Sequence, residues 1–161
     1  MKKIRVLFVC LGNICRSPMA ESVMLHKIRT MDLEEQFVID SAGTGEWHVG
    51  HPPDPRTIAE LAKHGIPWAS RARQLRSEDF VEFDHVVAMD HSNVSNLKRW
   101  PRADASKVSL LRSWHPEADG DEVPDPYYGG PEGFAEIHAM IDQATSAMIR
   151  DLLAAGERPS V

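Results

Sequence analysis

Apolar residues in this chain follow two rhythms in turn, short unbroken runs and stripes that recur every three to four positions. Residues 4–9 are apolar except for Arg5 and predict a buried strand. Ala20, Val23, Met24, Lys27 and Ile28 share one helical face, so a helix follows, fading over residues 30–34. Between strand and helix lies the tight loop 10–18, with Ser17 suited to the N-cap and Pro18 to the first helical position. Residues 37–41 read as a second strand, and the Gly-, His- and Pro-rich residues 42–53 as a loop. Asp54 and Pro55 open a second helix with Ile58, Leu61 and Ala62 on its apolar face, stopped by Gly65 and Pro67. An irregular or extended stretch over 67–75, in a region carrying Arg71, Arg73 and Arg76, leads to a helical turn at 77–81. Residues 85–89 form a third strand. Asp90 caps a helix that reaches about Trp100, with Val94 and Leu97 inward and Pro101 ending it. Residues 107–111 are a fourth strand, and the acidic stretch 114–126 is a surface loop. Pro131 opens a final helix striped by Phe134, Ile137, Ile141, Ala144, Met148 and Leu152, and the tail from Gly156 is expected to fray.

The resulting alternation, four strands with helices between them, predicts an α/β three-layer sandwich. A parallel sheet would be covered on both faces and linked by right-handed crossovers. Ligands of such folds bind beyond the carboxyl ends of the strands. The Cys10 loop, the Ser41 loop and the Asp90 turn all follow strands, so they gather on that rim. The length of 161 residues fits one domain spanning 1–161, and 42% hydrophobic residues suffice for an ordinary core. A net charge of −6 with both signs mixed throughout argues against a nucleic-acid partner. Two cysteines five positions apart do not make a disulfide framework, so a reducing, cytoplasmic setting is expected. Met1-Lys2-Lys3 before an apolar run has the outline of a signal peptide, but the run is too short and holds Arg5. No segment has the length to insert into a membrane.

Candidate chemistry concentrates in Cys10-Leu11-Gly12-Asn13-Ile14-Cys15-Arg16-Ser17-Pro18. Backbone N–H groups of such a loop and the positive end of the helix converge on one point, which suits a phosphate. The same field favours the thiolate form of a cysteine placed there, making Cys10 the candidate nucleophile. Arg16 offers a planar fork for two phosphate oxygens. Gly12 allows close backbone approach, and Asn13 tolerates left-handed angles. Taken alone, Cys10 reads as a packed strand end and Arg16 as a surface charge; taken with Ser17 and Pro18 they read as a site.

The run from Cys10 to Pro18 resembles the Cys-x5-Arg-Ser signature of the low-molecular-weight protein tyrosine phosphatases. Asp125-Pro126-Tyr127-Tyr128-Gly129 resembles that family's general-acid loop, and between the two stand Asp40-Ser41-Ala42-Gly43, Trp47-His48-Val49-Gly50, Asp54-Pro55-Arg56, Ala72-Arg73-Gln74 and Met89-Asp90 in the family's order. The resemblance implies the strand order 2-1-3-4 and hydrolysis of phosphotyrosine through a cysteinyl-phosphate, without metal or other cofactor. It implies Asp125 as general acid and then base, and Ser17 as hydroxyl partner of the sulfur. Asn13 and Ser41 would support the loop; Leu11, Gly12, Asn13, Ile14 and Cys15 would line the phosphate, with Trp47, Tyr127 and Tyr128 walling a slot for the phenol ring. Cys15 would form a protective disulfide with Cys10 after oxidation. Relatives often carry a His near the position of Ser70, so the last member of the loop-support network is open here, as is Asp90, for which a plain N-cap is the simpler role. The resemblance implies a tyrosine-phosphorylated protein as partner, a tyrosine kinase or autokinase among the expected ones, and inorganic phosphate as product; bacterial relatives often act on exopolysaccharide machinery. The oligomeric state is left between monomer and weak dimer.

Three other readings compete. Phosphoarginine phosphatases of the family resemble the chain, but tend to carry Thr where Ile14 stands. An arsenate reductase would need cysteines beyond Cys15 for its relay. A non-catalytic phosphate-binding module would not need Cys10, Arg16 and Asp125 together. Metal hydrolysis is a poor fit, because the nearest pair, His48 and His51, lacks helical spacing.

Overall fold

The structure is a computed structural model that describes residues 2–157. Four parallel strands, β1 (Ile4–Cys10), β2 (Phe37–Gly43), β3 (His85–Ala88) and β4 (Val108–Leu110), form one sheet in the order β2-β1-β3-β4. This is the order the resemblance implied. The central strand β1 pairs Val9 with Ala42 on one side and with Ala88 on the other, which brings the carboxyl ends of β1, β2 and β3 level.

Side chains alternate across β1, and each face meets its own core. Val6, Phe8 and Cys10 pack with α1 (Arg16–Thr30), α2 (Pro55–Lys63) and α5 (Pro131–Glu157). Leu7 and Val9 pack with Phe80 of α3 (Asp79–Glu82) and Leu97 of α4 (His91–Lys98). Burial on both faces explains why β1 reads as an apolar run rather than as an alternation. The whole α5 stripe, Phe134 through Leu152, is buried as expected. The helix itself continues to Glu157, past the expected fraying point at Gly156, and residues 158–161 lie outside the described ones. Among the described residues no helix is long and apolar enough to cross a membrane.

Several boundaries differ from the sequence pattern. α1 begins at Arg16 with Cys15 at its N-cap, so Ser17 and Pro18 are its second and third residues. Pro18 still sits in the first turn, where its missing N–H leaves no bond unmade. α4 stops at Lys98 rather than Trp100, since Pro101 disfavours helical angles at the residue before it. α3 starts at Asp79, two residues late, and β3 ends at Ala88. β4 is trimmed to three residues by tight turns at Ala105–Lys107 and Leu111–Trp114. α2 is rotated from the expected face: Thr57, Glu60 and Leu61 are buried, whereas Ala62 is exposed. Gly65 ends α2 at φ +70°, a backbone angle that favours glycine.

Ile141 sits fully buried in the middle of the α5 stripe. Ile141→Ala is expected to lower unfolding free energy by about 2–5 kcal/mol, with the urea midpoint reduced and the denaturant slope unchanged.

Candidate active site

The loop between β1 and α1 is held from outside through its carbonyls. Thr44 N–H donates to Cys10 O at 3.0 Å, Gly45 N–H to Leu11 O at 2.8 Å, and Asp54 N–H to Ile14 O at 2.8 Å. Cys15 O accepts from Met19 N–H and from the Thr57 hydroxyl, both at 3.3 Å. In a trans peptide the following N–H points opposite to the carbonyl. The N–H groups of Leu11, Gly12, Cys15 and Arg16 are therefore turned toward the inside of the loop, where α1 also begins. That concavity is an anion cradle.

The cradle is the floor of a cavity of about 310 Å³ lined by Cys10, Leu11, Gly12, Ile14, Cys15, Arg16, Trp47, His48, Asp125, Tyr127 and Tyr128. It gathers nearly every residue the sequence nominated. Trp47 and Tyr128 stand 68% and 95% exposed, so both are rim walls and neither is core. Asn13 is the exception among the expected phosphate-lining residues. It is buried beneath the loop at φ 57°, and its side chain works away from the cavity.

A directed hydrogen-bond chain runs from that amide to the sulfur. Asn13 Oδ1 accepts the Arg73 N–H at 3.0 Å, which fixes the amide orientation. Its Nδ2 then donates to Ser17 Oγ at 2.7 Å and to Ser41 Oγ at 3.0 Å. Ser41 donates onward to Glu21 Oε1 at 2.6 Å, which Ser70 Oγ also reaches at 2.7 Å. Ser17 Oγ lies 2.9 Å from Cys10 Sγ, and having accepted from Asn13 it has its own proton left for the sulfur. Ser17 thus serves Cys10 instead of capping the helix.

Glu21 is the network member that sequence reasoning missed, and with Ser70 it fills the place left open there. It is 3% exposed on α1. Burial pushes its pKa up, against the lowering effect of the bonds from Ser41 and Ser70. The signal available in sequence was its position on the buried side of α1, four residues past Ser17.

Arg16 is held at one end of its fork. Nη1 donates to Asp90 Oδ2 at 2.6 Å and to Val123 O at 3.0 Å, which uses both of its hydrogens. The Nε–Nη2 edge remains for two ligand oxygens. Burial works against the Arg16 charge, but the Cys10 sulfur and Asp90 outweigh it and its pKa is raised. Asp90 also completes a capping box with Asn93, so it is both the N-cap of α4 and the arginine's anchor. Asp125 approaches from the other side, its Oδ2 3.8 Å from Arg16 Nη2, and its Oδ1 accepts the Tyr127 N–H at 3.0 Å. Arg56 stands in the Asp54-Pro55-Arg56 motif, where sequence gives it no separate role. Pinned by Asp54, it donates to Gly129 O at 3.1 Å and lies over Tyr127 and Phe134, bracing the loop that carries Asp125.

Cys15 is buried in the cavity wall, and that burial, with Asp54 nearby, raises its thiol pKa. His48 and His51 lie 5.9 Å apart and tilted. The arrangement is suited to hold a tetrahedral oxyanion over a sulfur nucleophile, with a carboxyl group on the open side to move a proton.

The sequence model described as "low molecular weight phosphotyrosine protein phosphatase" matches residues 5–157. The chain is 48% identical over 142 residues to the low molecular weight phosphotyrosine protein phosphatase of Schizosaccharomyces pombe, covering 87% of this chain and 91% of the relative. It is similar to the crystal structure of a protein tyrosine phosphatase from Entamoeba histolytica with Hepes in the active site, with a TM-score of 0.90, 36% identity, and 96% and 99% of the two chains covered. It is also similar to the crystal structure of a Drosophila arginine phosphatase, at TM-score 0.86 and 32% identity over 92% of this chain and 98% of that one.

The raised Glu21 pKa carries a stability signature. In the folded chain the carboxyl keeps its proton to a higher pH than in the unfolded chain, so unfolding between the two pKa values releases a proton and rising pH destabilises the fold. Glu21→Gln keeps an oxygen acceptor for both serines and removes the titration. The expected outcome, read by urea unfolding of both proteins from mildly acid to neutral pH, is a wild-type stability that falls relative to the variant as pH rises through that window.

Proposed function

The chain belongs to the low molecular weight phosphotyrosine protein phosphatase family and is a protein-tyrosine phosphatase; on that premise we propose that Cys10, Arg16, Ser17 and Asp125 divide the reaction among them. Catalysis in the family passes through a cysteine-bound phosphate. Cys10 Sγ attacks phosphorus in line as the bond to the phenolic oxygen breaks, and Asp125 gives its proton to that oxygen. Water then attacks phosphorus, Asp125 takes a proton from it, and the sulfur departs as thiolate with the Ser17 hydroxyl donating to it. The three equatorial oxygens are stabilised throughout by the inward N–H groups and the free edge of Arg16. The observation that carries this assignment is the pairing of Ser17 Oγ with Cys10 Sγ at 2.9 Å, with Arg16 and Asp125 across the same cavity.

A phosphoprotein is the substrate and phosphate the product. An aromatic rim of Trp47, Tyr127 and Tyr128, with Ile14 in the wall, supports a phosphorylated phenol ring over phosphoarginine. A thioredoxin-coupled arsenate reductase would need cysteines that the chain lacks. Two cysteines that are free of any disulfide fit a reducing compartment, and we place the enzyme in the cytoplasm. The family resemblance supports a tyrosine kinase as the phosphoprotein.

Para-nitrophenyl phosphate hydrolysis, assayed with chelator present, tests the assignment. Cys10→Ser should abolish turnover and the acid-quench-trapped phosphoenzyme. Asp125→Ala should lower kcat on phosphotyrosine by roughly 10²–10³-fold while sparing substrates with much better leaving groups. Unchanged phosphotyrosine kcat in Asp125→Ala would refute its role.

Cys15 shares the cavity wall with Cys10, and we assign it the protective role. Peroxide converts Cys10 to a sulfenic acid, and the Cys15 thiol condenses with it, releasing water and leaving a disulfide that dithiothreitol reduces. After peroxide and then dithiothreitol, wild type should recover most of its activity and Cys15→Ala little. Equal recovery would remove Cys15 from this role.

A further inference from the structure

On the flank where α2 packs against α5, three potential metal ligands meet that phosphatase chemistry does not use. Glu60 and His64 are one helical turn apart at the end of α2, and His138 comes from the second turn of α5. One donor atom from each lies within 4.8 Å of the other two. From this convergence we propose that Glu60, His64 and His138 form a binding site for a divalent transition-metal cation of the zinc class, joining α2 to α5.

A second observation points to a ligand here. His138 is 7% exposed, and its Nε2 is buried without a hydrogen-bond partner among the described residues. A buried ring nitrogen normally has a partner, and a metal ion is one of the few species that satisfies it. Glu60 is equally out of place, a carboxylate on the buried face of α2 beside Leu61. Its contacts are His64 Nε2 at 2.9 Å and Lys63 Nζ at 3.6 Å. Lys63 is the exposed partner and is free to swing away.

The donor set selects the cation. Two imidazoles and one carboxylate suit zinc(II) or its spectroscopic substitute cobalt(II), with the fourth position taken by water. Magnesium and calcium prefer all-oxygen sites. The two rings are stacked, 3.7 Å between centroids and 5° between planes, so one ion cannot lie in both ring planes at once. His64 is the ring that must turn. It is exposed, it follows the last residue of α2, and Gly65 behind it carries no side chain to obstruct the motion.

The test uses the full chain carrying Cys10→Ser, so that the active-site sulfur does not compete for metal. Zinc(II) titrated by calorimetry should bind one-to-one in the micromolar range or tighter. At a hundredfold excess over the dissociation constant it should raise the melting temperature by roughly 5 °C or more, and magnesium(II) should not. Cobalt(II) should give a d–d spectrum without thiolate charge transfer. Adding His64→Ala should weaken zinc binding at least tenfold and remove the zinc-dependent shift measured against the variant's own metal-free melting temperature; His138→Leu should do the same to binding. Zinc affinity unaltered by His64→Ala, a thiolate band with cobalt, or no zinc-dependent shift would each overturn the proposal.

Discussion

The site depends on which way the peptide units of the loop after β1 face. A phosphate cradle needs N–H groups pointing inward, and the covalent geometry of a trans peptide then sends the neighbouring carbonyls outward, into protein. Those carbonyls must be satisfied there, because an unpaired buried carbonyl costs about as much as a lost hydrogen bond. Thr44 and Gly45 after β2, Asp54 at the start of α2, and Thr57 within it provide the partners. The loop's outer surface thus adds polar contacts to the hydrophobic core in positioning the surrounding elements. The polar Thr57 on the buried face of α2 is one consequence.

Asn13 supplies the polarity. Its left-handed backbone lets the loop reverse, and its carboxamide has one acceptor and two donors, each committed. Because the Arg73 N–H can only donate, the amide can only present its oxygen there. Ser17 and Ser41 must then both accept, and each has one proton to send onward, toward Cys10 sulfur and toward Glu21. The direction of a bond at the nucleophile is set by a backbone group 60 residues further along the chain.

The parts of this molecule that burial decides were legible from sequence. β1 and the α5 stripe needed only apolar spacing, and the cavity wall from Cys10 to Arg16 followed from strand, loop and helix in succession. Partnerships between polar groups were not legible in the same way. Glu21 looks like any charged residue on a helix until Ser41 and Ser70 arrive from distant segments. Asp90 satisfies the local rule for an N-cap completely, so nothing nearby asks for its second role with Arg16. On α2 the apolar contribution of Ala62 was too small to outweigh Thr57, whose hydroxyl reaches Cys15 O inside, and Glu60, whose carboxylate pairs with His64 at the helix end. Register of that kind is settled by tertiary contacts, which periodicity does not contain.

The dual use of Asp90 bears on how an acidic protein holds an anion. A chain of net charge −6 repels phosphate at long range, yet beyond about a Debye length that repulsion is screened at physiological salt. Inside the cavity the balance is local. Arg16 is already neutralised in part by Asp90, so the guanidinium does not act as a free positive charge. What Asp90 and Val123 provide instead is orientation: with Nη1 saturated, the plane of the fork is locked and its remaining edge is aimed before any ligand arrives. Preorganised donors of this kind need no rearrangement as charge moves onto the phosphoryl oxygens. Oriented peptide dipoles and the aimed edge of Arg16 act at contact distance on the phosphoryl oxygens, so the net acidity of the chain is compatible with an anionic substrate.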